Sequence, residues 1–148
     1  FFNTLLGSEI SDKKVIYYTN SFSQIMRREL VNKKYLIAET VDFIKVSVGK
    51  YDFHIVSGSD DQELKFLCKE LGIDLFFKSI SGSPTHKSLL VKNLINSYKY
   101  KNYETILIGD SLNDYQAAID NQVAFFGFNN LKLVEVSDKY LVGYKELL

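Results

Sequence analysis

The sequence is poor in several respects, and each scarcity excludes something. It holds one cysteine, Cys68, so neither an intramolecular disulfide framework nor a Cys-rich zinc site can form, and a reducing compartment suits it. It has no excess of charge: 18 Lys and Arg balance 18 Asp and Glu, and no long block carries a single sign. That argues against nucleic-acid binding by bulk charge and against a polybasic membrane anchor. No apolar run approaches the roughly 20 residues needed to span a bilayer, and no secretory signal pattern is present. A cytoplasmic protein with no membrane and no nucleic-acid partner is expected. Repeats and low-complexity segments are absent. So is an initiating methionine: the chain begins at Phe1 and its single Met is Met26. Translation starts at Met, so residues are expected to precede Phe1.

What is present is 148 residues with 46% hydrophobic and 24% charged residues, the profile of one soluble globular domain. From about residue 50 onward, short apolar runs alternate with helical patterns. Runs at 53–56, 76–80, 105–108 and 123–126 read as strands. Residues 60–71, with Leu64, Phe66, Leu67 and Leu71 on one face and Gly72 as the stop, read as a helix. A second helix carries Leu89, Leu90, Val91, Leu94, Ile95 and Tyr98, with Pro84 placed in its first turn, and a third runs from Leu112 to about Asn121. Strands alternating with helices predict a parallel sheet covered on both faces, which binds ligands at the carboxyl ends of its strands. Residues 12–35, with Tyr18, Phe22, Ile25, Met26 and Leu30 at helical spacing, predict a helical accessory piece, followed by a helix over 40–48.

Three loops carry candidate chemistry. Ile106-Leu-Ile-Gly-Asp-Ser-Leu-Asn-Asp114 brings Asp110 to a strand end and Asp114 to the next helix start. Two carboxylates aimed at one spot repel unless a cation lies between them, and oxygen ligands suit Mg²⁺; alternatively, Asp110 caps the helix and Asp114 is a first-turn acid. His54-Ile-Val-Ser-Gly-Ser-Asp60 offers the Ser57 hydroxyl and small-residue amides to a phosphate, or a capping box of Ser59 with Gln62. Lys87 falls in the first turn of a helix, where positive charge is unfavourable unless a phosphate or carboxylate lies nearby. His54 reads as a strand residue, His86 as a surface one, and Cys68 as structural.

Taken in chain order, Ser57, then Lys87, then Asp110 and Asp114, the three loops resemble the haloacid dehalogenase superfamily, mostly Mg²⁺-dependent phosphatases with a Rossmann-like α/β core. Ile55-Val-Ser-Gly58 is similar to its motif II, Ser81-Gly-Ser-Pro-Thr-His-Lys87 to motif III and Ile108-Gly-Asp-Ser-Leu-Asn-Asp114 to motif IV. The resemblance covers residues 36–130. It implies that Ser57 and Gly58 hold a substrate phosphate, that Lys87 neutralises phosphate and nucleophile, and that Asp110 binds Mg²⁺ with Asp114 completing or orienting that shell. It implies a small phosphorylated metabolite as substrate; oligomeric state is left open. Residues 10–18 resemble part of a small helical cap, so residues 1–35 are expected to be a cap portion and 36–148 the core.

One motif is missing. The superfamily's nucleophile and general acid sit in an Asp-x-Asp after the first strand, and no Asp-x-Asp occurs in this sequence. The nearest candidate, Val15-Ile-Tyr-Tyr-Thr-Asn-Ser21, has no acid; were it a decayed motif I, the protein would be a binding or regulatory module without catalysis. The preferred expectation is that motif I lies upstream of Phe1 and that the chain alone is inactive. In the superfamily that strand lies between those of motifs II and IV, so its absence predicts two strands lacking a neighbour.

Overall fold

The computed structural model describes residues 11–147; Phe1, Phe2 and Ile10 of the expected cap, and Leu148, lie outside them. Helix α1 spans Asp12–Leu30, followed by a 3-10 turn at Lys33–Tyr35, and helix α2 spans Ala38–Ser47. Then come strand β1 (His54–Asp60), helix α3 (Asp61–Glu70), strand β2 (Ser79–Ser83), helix α4 (Lys87–Tyr98), strand β3 (Ile106–Gly109), helix α5 (Leu112–Asp120) and strands β4 (Ala124–Phe128) and β5 (Tyr140–Leu141). The architecture is the expected α/β one, with parallel strands and helices on both sides. No helix among the described residues is long and apolar enough to cross a membrane.

The strands form two sheets, not one. β1 pairs in parallel with β2, matching His54 with Ser79 and Val56 with Ser81. β3, β4 and β5 form a second parallel sheet in which Gly109 faces Gly127. Among the described residues no strand pairs with the other edge of β1 or of β3. The two sheets nevertheless share a core. Val91 and Ile95 of α4, Ala117 and Ala118 of α5, Val123, Phe125 and Leu133 are buried together, and Val56 from β1 and Leu107 from β3 both pack against them. Leu133 is 1% exposed, worth roughly 2 kcal/mol of apolar burial. One strand of each sheet, β1 and β3, therefore rests on a single apolar core.

Helix α4 fixes the direction of both edges. Lys87 at its first residue meets Asp114 at the start of α5, just past the end of β3. Tyr98, its last residue, packs at 4.6 Å on His54, the first residue of β1. β1 thus starts where β3 starts, and their carboxyl ends lie at the same edge.

Several local expectations need correction. The second strand begins at Ser79, because Asp74–Phe76 closes a 3-10 turn through the Phe77 N–H to the Asp74 carbonyl. Gly72, at φ 70°, supplies the left-handed residue that ends the preceding helix. Pro84 lies outside α4: the residue before a proline is driven extended, so Ser83 finishes β2 and the helix waits until Lys87. The cap of α3 is Asp60, not Ser59, because β1 runs one residue further; its carboxylate accepts from the amides of Gln62 and Glu63, both at 3.0 Å. β5 was not anticipated. It packs the C-terminal residues inward: Leu141 is 2% exposed, and Tyr144 lies against Phe43 and Phe128 with ring centroids 5.0 and 4.9 Å apart.

Helix α1 rests on α3. Arg27 makes a forked pair with Glu63 at 2.7 and 2.8 Å and lies 4.8 Å over the Phe66 ring. Met26 and Leu30 of the expected apolar stripe are half-buried, whereas Phe22 and Ile25 remain exposed.

Candidate functional site

The carboxyl ends of β1, β2 and β3 gather the candidate residues. Beyond β3 the chain turns at Gly109, and α5 begins with a capping box. The Ser111 hydroxyl accepts from the Asp114 amide at 3.2 Å, and Asp114 Oδ2 accepts from the Ser111 amide at 3.1 Å and hydroxyl at 2.6 Å. The helix cap is therefore Ser111, and the reading of Asp110 as the cap is corrected. A Cβ on Gly109 would stand 2.7 Å from Asp114 Oδ2, so glycine is required there for Asp114 to tuck beneath the strand end.

Asp114 is 6% exposed, and its other oxygen, Oδ1, accepts from the Lys87 ammonium. The carboxylate anticipated beside Lys87 is thus Asp114, and it removes the penalty of a cation at the start of α4. An ammonium carries three donors, and Asp114 is the one partner of Lys87 among the described residues. Two N–H groups remain to meet an anion.

The β2–α4 loop that delivers Lys87 is held from beneath. The Gly82 amide donates to Asp61 Oδ1 at 2.9 Å, and a Cβ on Gly82 would stand 2.8 Å from the Asp61 Cα. Bonds from Lys65 and then from this amide hold the Asp61 carboxyl below its ordinary range. Ser57 lies where the β1–β2 register shifts, between Val56 and Asp60. Its oxygen accepts from the Ser59 amide at 3.1 Å, leaving the hydroxyl hydrogen without an acceptor. Gly58 is exposed, and a Cβ there would meet nothing within 4 Å.

Asp110 is exposed and its carboxylate has no partner among the described residues. Its backbone carbonyl accepts from Asn130 Nδ2 at 2.7 Å. The structure brings Lys87, Ser111 and Asp114 into direct contact; it does not join Ser57, Gly58 or the Asp110 carboxylate to them. No group of three or more His, Cys, Asp or Glu converges among the described residues. Mg²⁺ is commonly held by only one or two carboxylates, with water and substrate phosphate completing its shell. The free carboxylate of Asp110 fits that demand, whereas both oxygens of Asp114 are already engaged.

Asn130 escaped the sequence reading. The signal was a polar pair, Asn129-Asn130, directly after an apolar strand, the same form as Gly109-Asp110. Both His residues read as expected: His86 is exposed, and His54 lies in β1 between Ser79 Oγ at 2.7 Å and the Tyr100 hydroxyl at 3.0 Å. Cys68 is buried in α3.

Fold and site together define a parallel α/β protein with a cationic and acidic cluster at the carboxyl edge of its strands. The chain matches the haloacid dehalogenase-like hydrolase family over residues 2–128 and belongs to it. Comparison with curated proteins finds no match. Among solved structures, a predicted phosphoglycolate phosphatase from Haemophilus somnus is 18% identical with a TM-score of 0.76, covering 98% of this chain and 70% of its own. A haloacid dehalogenase-like family hydrolase from Streptococcus pneumoniae is 20% identical with a TM-score of 0.66, covering 72% of this chain and 55% of its own. A haloacid dehalogenase-superfamily hydrolase from Ehrlichia chaffeensis is 15% identical with a TM-score of 0.65, covering 97% and 80%. At such identities the likeness is one of fold. The chain spans only 55% of the Streptococcus protein's length, and 51% and 55% of two further neighbours.

Proposed function

We propose that the protein is a phosphatase acting on a small phosphorylated metabolite, with its phosphate site at the carboxyl edge of β1, β2 and β3. The observation that carries this reading is the Lys87–Asp114 pair, whose acid lies four residues along the chain from an Asp110 carboxylate that has no partner among the described residues. Phosphoryl transfer is driven mainly by positioning and electrostatic stabilisation, and these groups supply charge of both signs. The Ser57 hydroxyl and the Gly58 amide would donate to phosphate oxygens, and Lys87 would add its two spare N–H groups. Asp110 would hold Mg²⁺, which when bound offsets the charge of the phosphate. Asp114 would act from behind, fixing Lys87 and the β3–α5 loop.

The nucleophile completes the proposal. No Asp-x-Asp exists in the sequence, and among the described residues β1 and β3 each have one unpaired edge while packing on one apolar core. We assign to these edges a further parallel strand outside the described residues that carries the attacking carboxylate, with residues 36–148 as the core and 1–35 as part of a cap. One carboxylate oxygen of that strand's Asp-x-Asp would attack phosphorus while its second, protonated Asp gives its proton to the departing alcohol; that second carboxylate then takes a proton from the water that attacks the acyl phosphate, releasing phosphate and restoring both groups.

The test is Mg²⁺-dependent hydrolysis of p-nitrophenyl phosphate by the complete gene product and by the 148-residue chain. Turnover is expected from the first and not the second, and Asp110→Asn should lower kcat about 100-fold or more, the scale of losing one electrostatic contact to the transition state. Turnover by the 148-residue chain would remove the need for the added strand, and indifference to Asp110→Asn would sink the assigned site.

A further inference from the structure

We infer that Asn130 is a positioning residue for Asp110, an inference that rests on the phosphatase reading of the site. The peptide joining Asp110 to Ser111 is gripped at both polar atoms by side chains. Its carbonyl accepts from Asn130 Nδ2 at 2.7 Å, and its N–H donates to Asp114 Oδ2 at 3.1 Å. A peptide unit is planar, so holding both atoms fixes the plane and with it the ψ angle of Asp110. The exposed Asp110 carboxylate has no side-chain bond of its own among the described residues, so the backbone beneath it sets where its Cα–Cβ bond points and which positions the carboxylate can reach.

Asn130 is itself well placed for that task. In the β3–β4 register Gly109 stands opposite Gly127, which puts Asn130 two residues further beyond the strand ends than Asp110. Asn129 takes φ 57°, a left-handed turn that asparagine tolerates, and this reverses the chain toward the β3–α5 loop. The Asn130 amide is oriented by a second bond: Oδ1 accepts from the Lys132 amide at 3.2 Å, which requires Nδ2 to face the Asp110 carbonyl. The 3-10 turn that follows, Leu131–Glu135, is anchored by Leu133, 1% exposed in the shared core. Asn130 is thus a rigid bracket from the core to the carbonyl of the loop that carries Asp110. Its two bonds can be separated. The amide nitrogen reaches Asp110, and the oxygen caps the turn.

Asn130→Asp keeps an oxygen for the Lys132 amide and puts a second oxygen against the Asp110 carbonyl, removing the donor without uncapping the turn. In the complete gene product, Asn130→Asp is expected to leave the melting temperature within about 3 °C of wild type, since the turn keeps its cap. It should speed amide exchange at Ser111 roughly fivefold or more, as loss of one ordinary hydrogen bond implies. It should also raise the Mg²⁺ concentration for half-maximal activity and lower kcat by a similar factor, with KM little changed. Restoring a donor with Asn130→Gln should recover part of both effects. Unchanged Ser111 exchange together with an unchanged Mg²⁺ requirement would overturn the inference. If the wild type shows no phosphatase activity, the phosphatase reading fails, while Ser111 exchange still decides whether Asn130 holds the peptide.

Discussion

Helix α4 is fastened at both ends, by Lys87 to Asp114 at its start and by Tyr98 and Tyr100 to His54, Asp52 and Lys78 beyond its finish. The two fastenings differ in what they leave unused. At the far end the bonds form a continuous chain from Ser79 to Lys78. The Tyr100 hydroxyl donates to Asp52 Oδ2 at 2.6 Å, so its oxygen accepts from His54 Nε2–H, and His54 Nδ1 accepts from the Ser79 hydroxyl. Asp52 takes Lys78 on its other oxygen at 2.8 Å. Every carboxylate, hydroxyl and ring nitrogen in that chain has a partner, and Lys78 keeps two N–H groups without one among the described residues, as Lys87 does. At the near end the Asp110 carboxylate and the Ser57 hydroxyl hydrogen have none among the described residues. A cluster whose acids and hydroxyls are all engaged holds elements together, whereas one that leaves a carboxylate and a hydroxyl unspent is arranged for something that arrives later.

That contrast is broken most severely by Asp114→Ala. The change removes the partner of Lys87, whose side chain is 17% exposed, and the reply to the Ser111 cap. Stability should fall by roughly 3 kcal/mol, the cost of stranding one member of a largely buried pair, read as a lower midpoint in urea unfolding. Asp110→Asn, on an exposed and unpartnered group, should move that midpoint by no more than about 0.5 kcal/mol. The near end would then divide into a residue that holds and a residue that acts. Equal losses of stability from both variants would erase the division.

These particulars show how far a sequence can be read. The alternation of strands and helices and the placing of Lys87 at a helix start follow from local spacing, and local spacing is what a sequence displays. The Lys87–Asp114 pair was legible only as a demand, a cation at a helix start needing an anion nearby; the identity of that anion depends on how α4 crosses α5. The capping box was read on Ser59 when the structure puts the cap on Asp60, because a strand's last residue is set by its neighbour and not by its own chemistry. Asn130 and the His54 chain were illegible for the same reason. Asn130 reaches Asp110 across 20 residues through the β3–β4 register, and Tyr100 reaches Asp52 across 48 because α4 ends against the start of β1.

A smaller effect is expected from Tyr100→Phe at the far end. The ring keeps its stack on Tyr98, whose centroid lies 5.4 Å away, but the hydroxyl that joins His54 to Asp52 is lost. Stability should fall by roughly 1 kcal/mol, the net worth of an ordinary hydrogen bond, and phosphatase activity of the complete gene product should be unchanged. A loss of activity larger than the loss of stability explains would show that the far end serves the site as well as the fold.

The mildest way to sharpen the comparison is pH, because His54 and Asp52 titrate in separate windows. Burial holds the His54 imidazole below its ordinary value, with Asp52 opposing that shift and Lys78 adding to it. The bond from Lys78, then the one from Tyr100, hold the Asp52 carboxyl below its ordinary value. A depressed folded value means that the unfolded chain takes up the proton first. The His54 contribution is therefore complete above about pH 6.5 and is lost as pH falls from there through the folded value. The Asp52 contribution is complete above about pH 4 and is lost only below it. Urea midpoints followed from pH 8 downward should show a shallow decline beginning near pH 6.5, ahead of the steeper acid loss shared by all the paired carboxylates. His54→Gln should remove that early decline and leave the later one. An early decline that survives the substitution would place the titrating group elsewhere, and the far end would then be a fastening indifferent to protons above the carboxylate range.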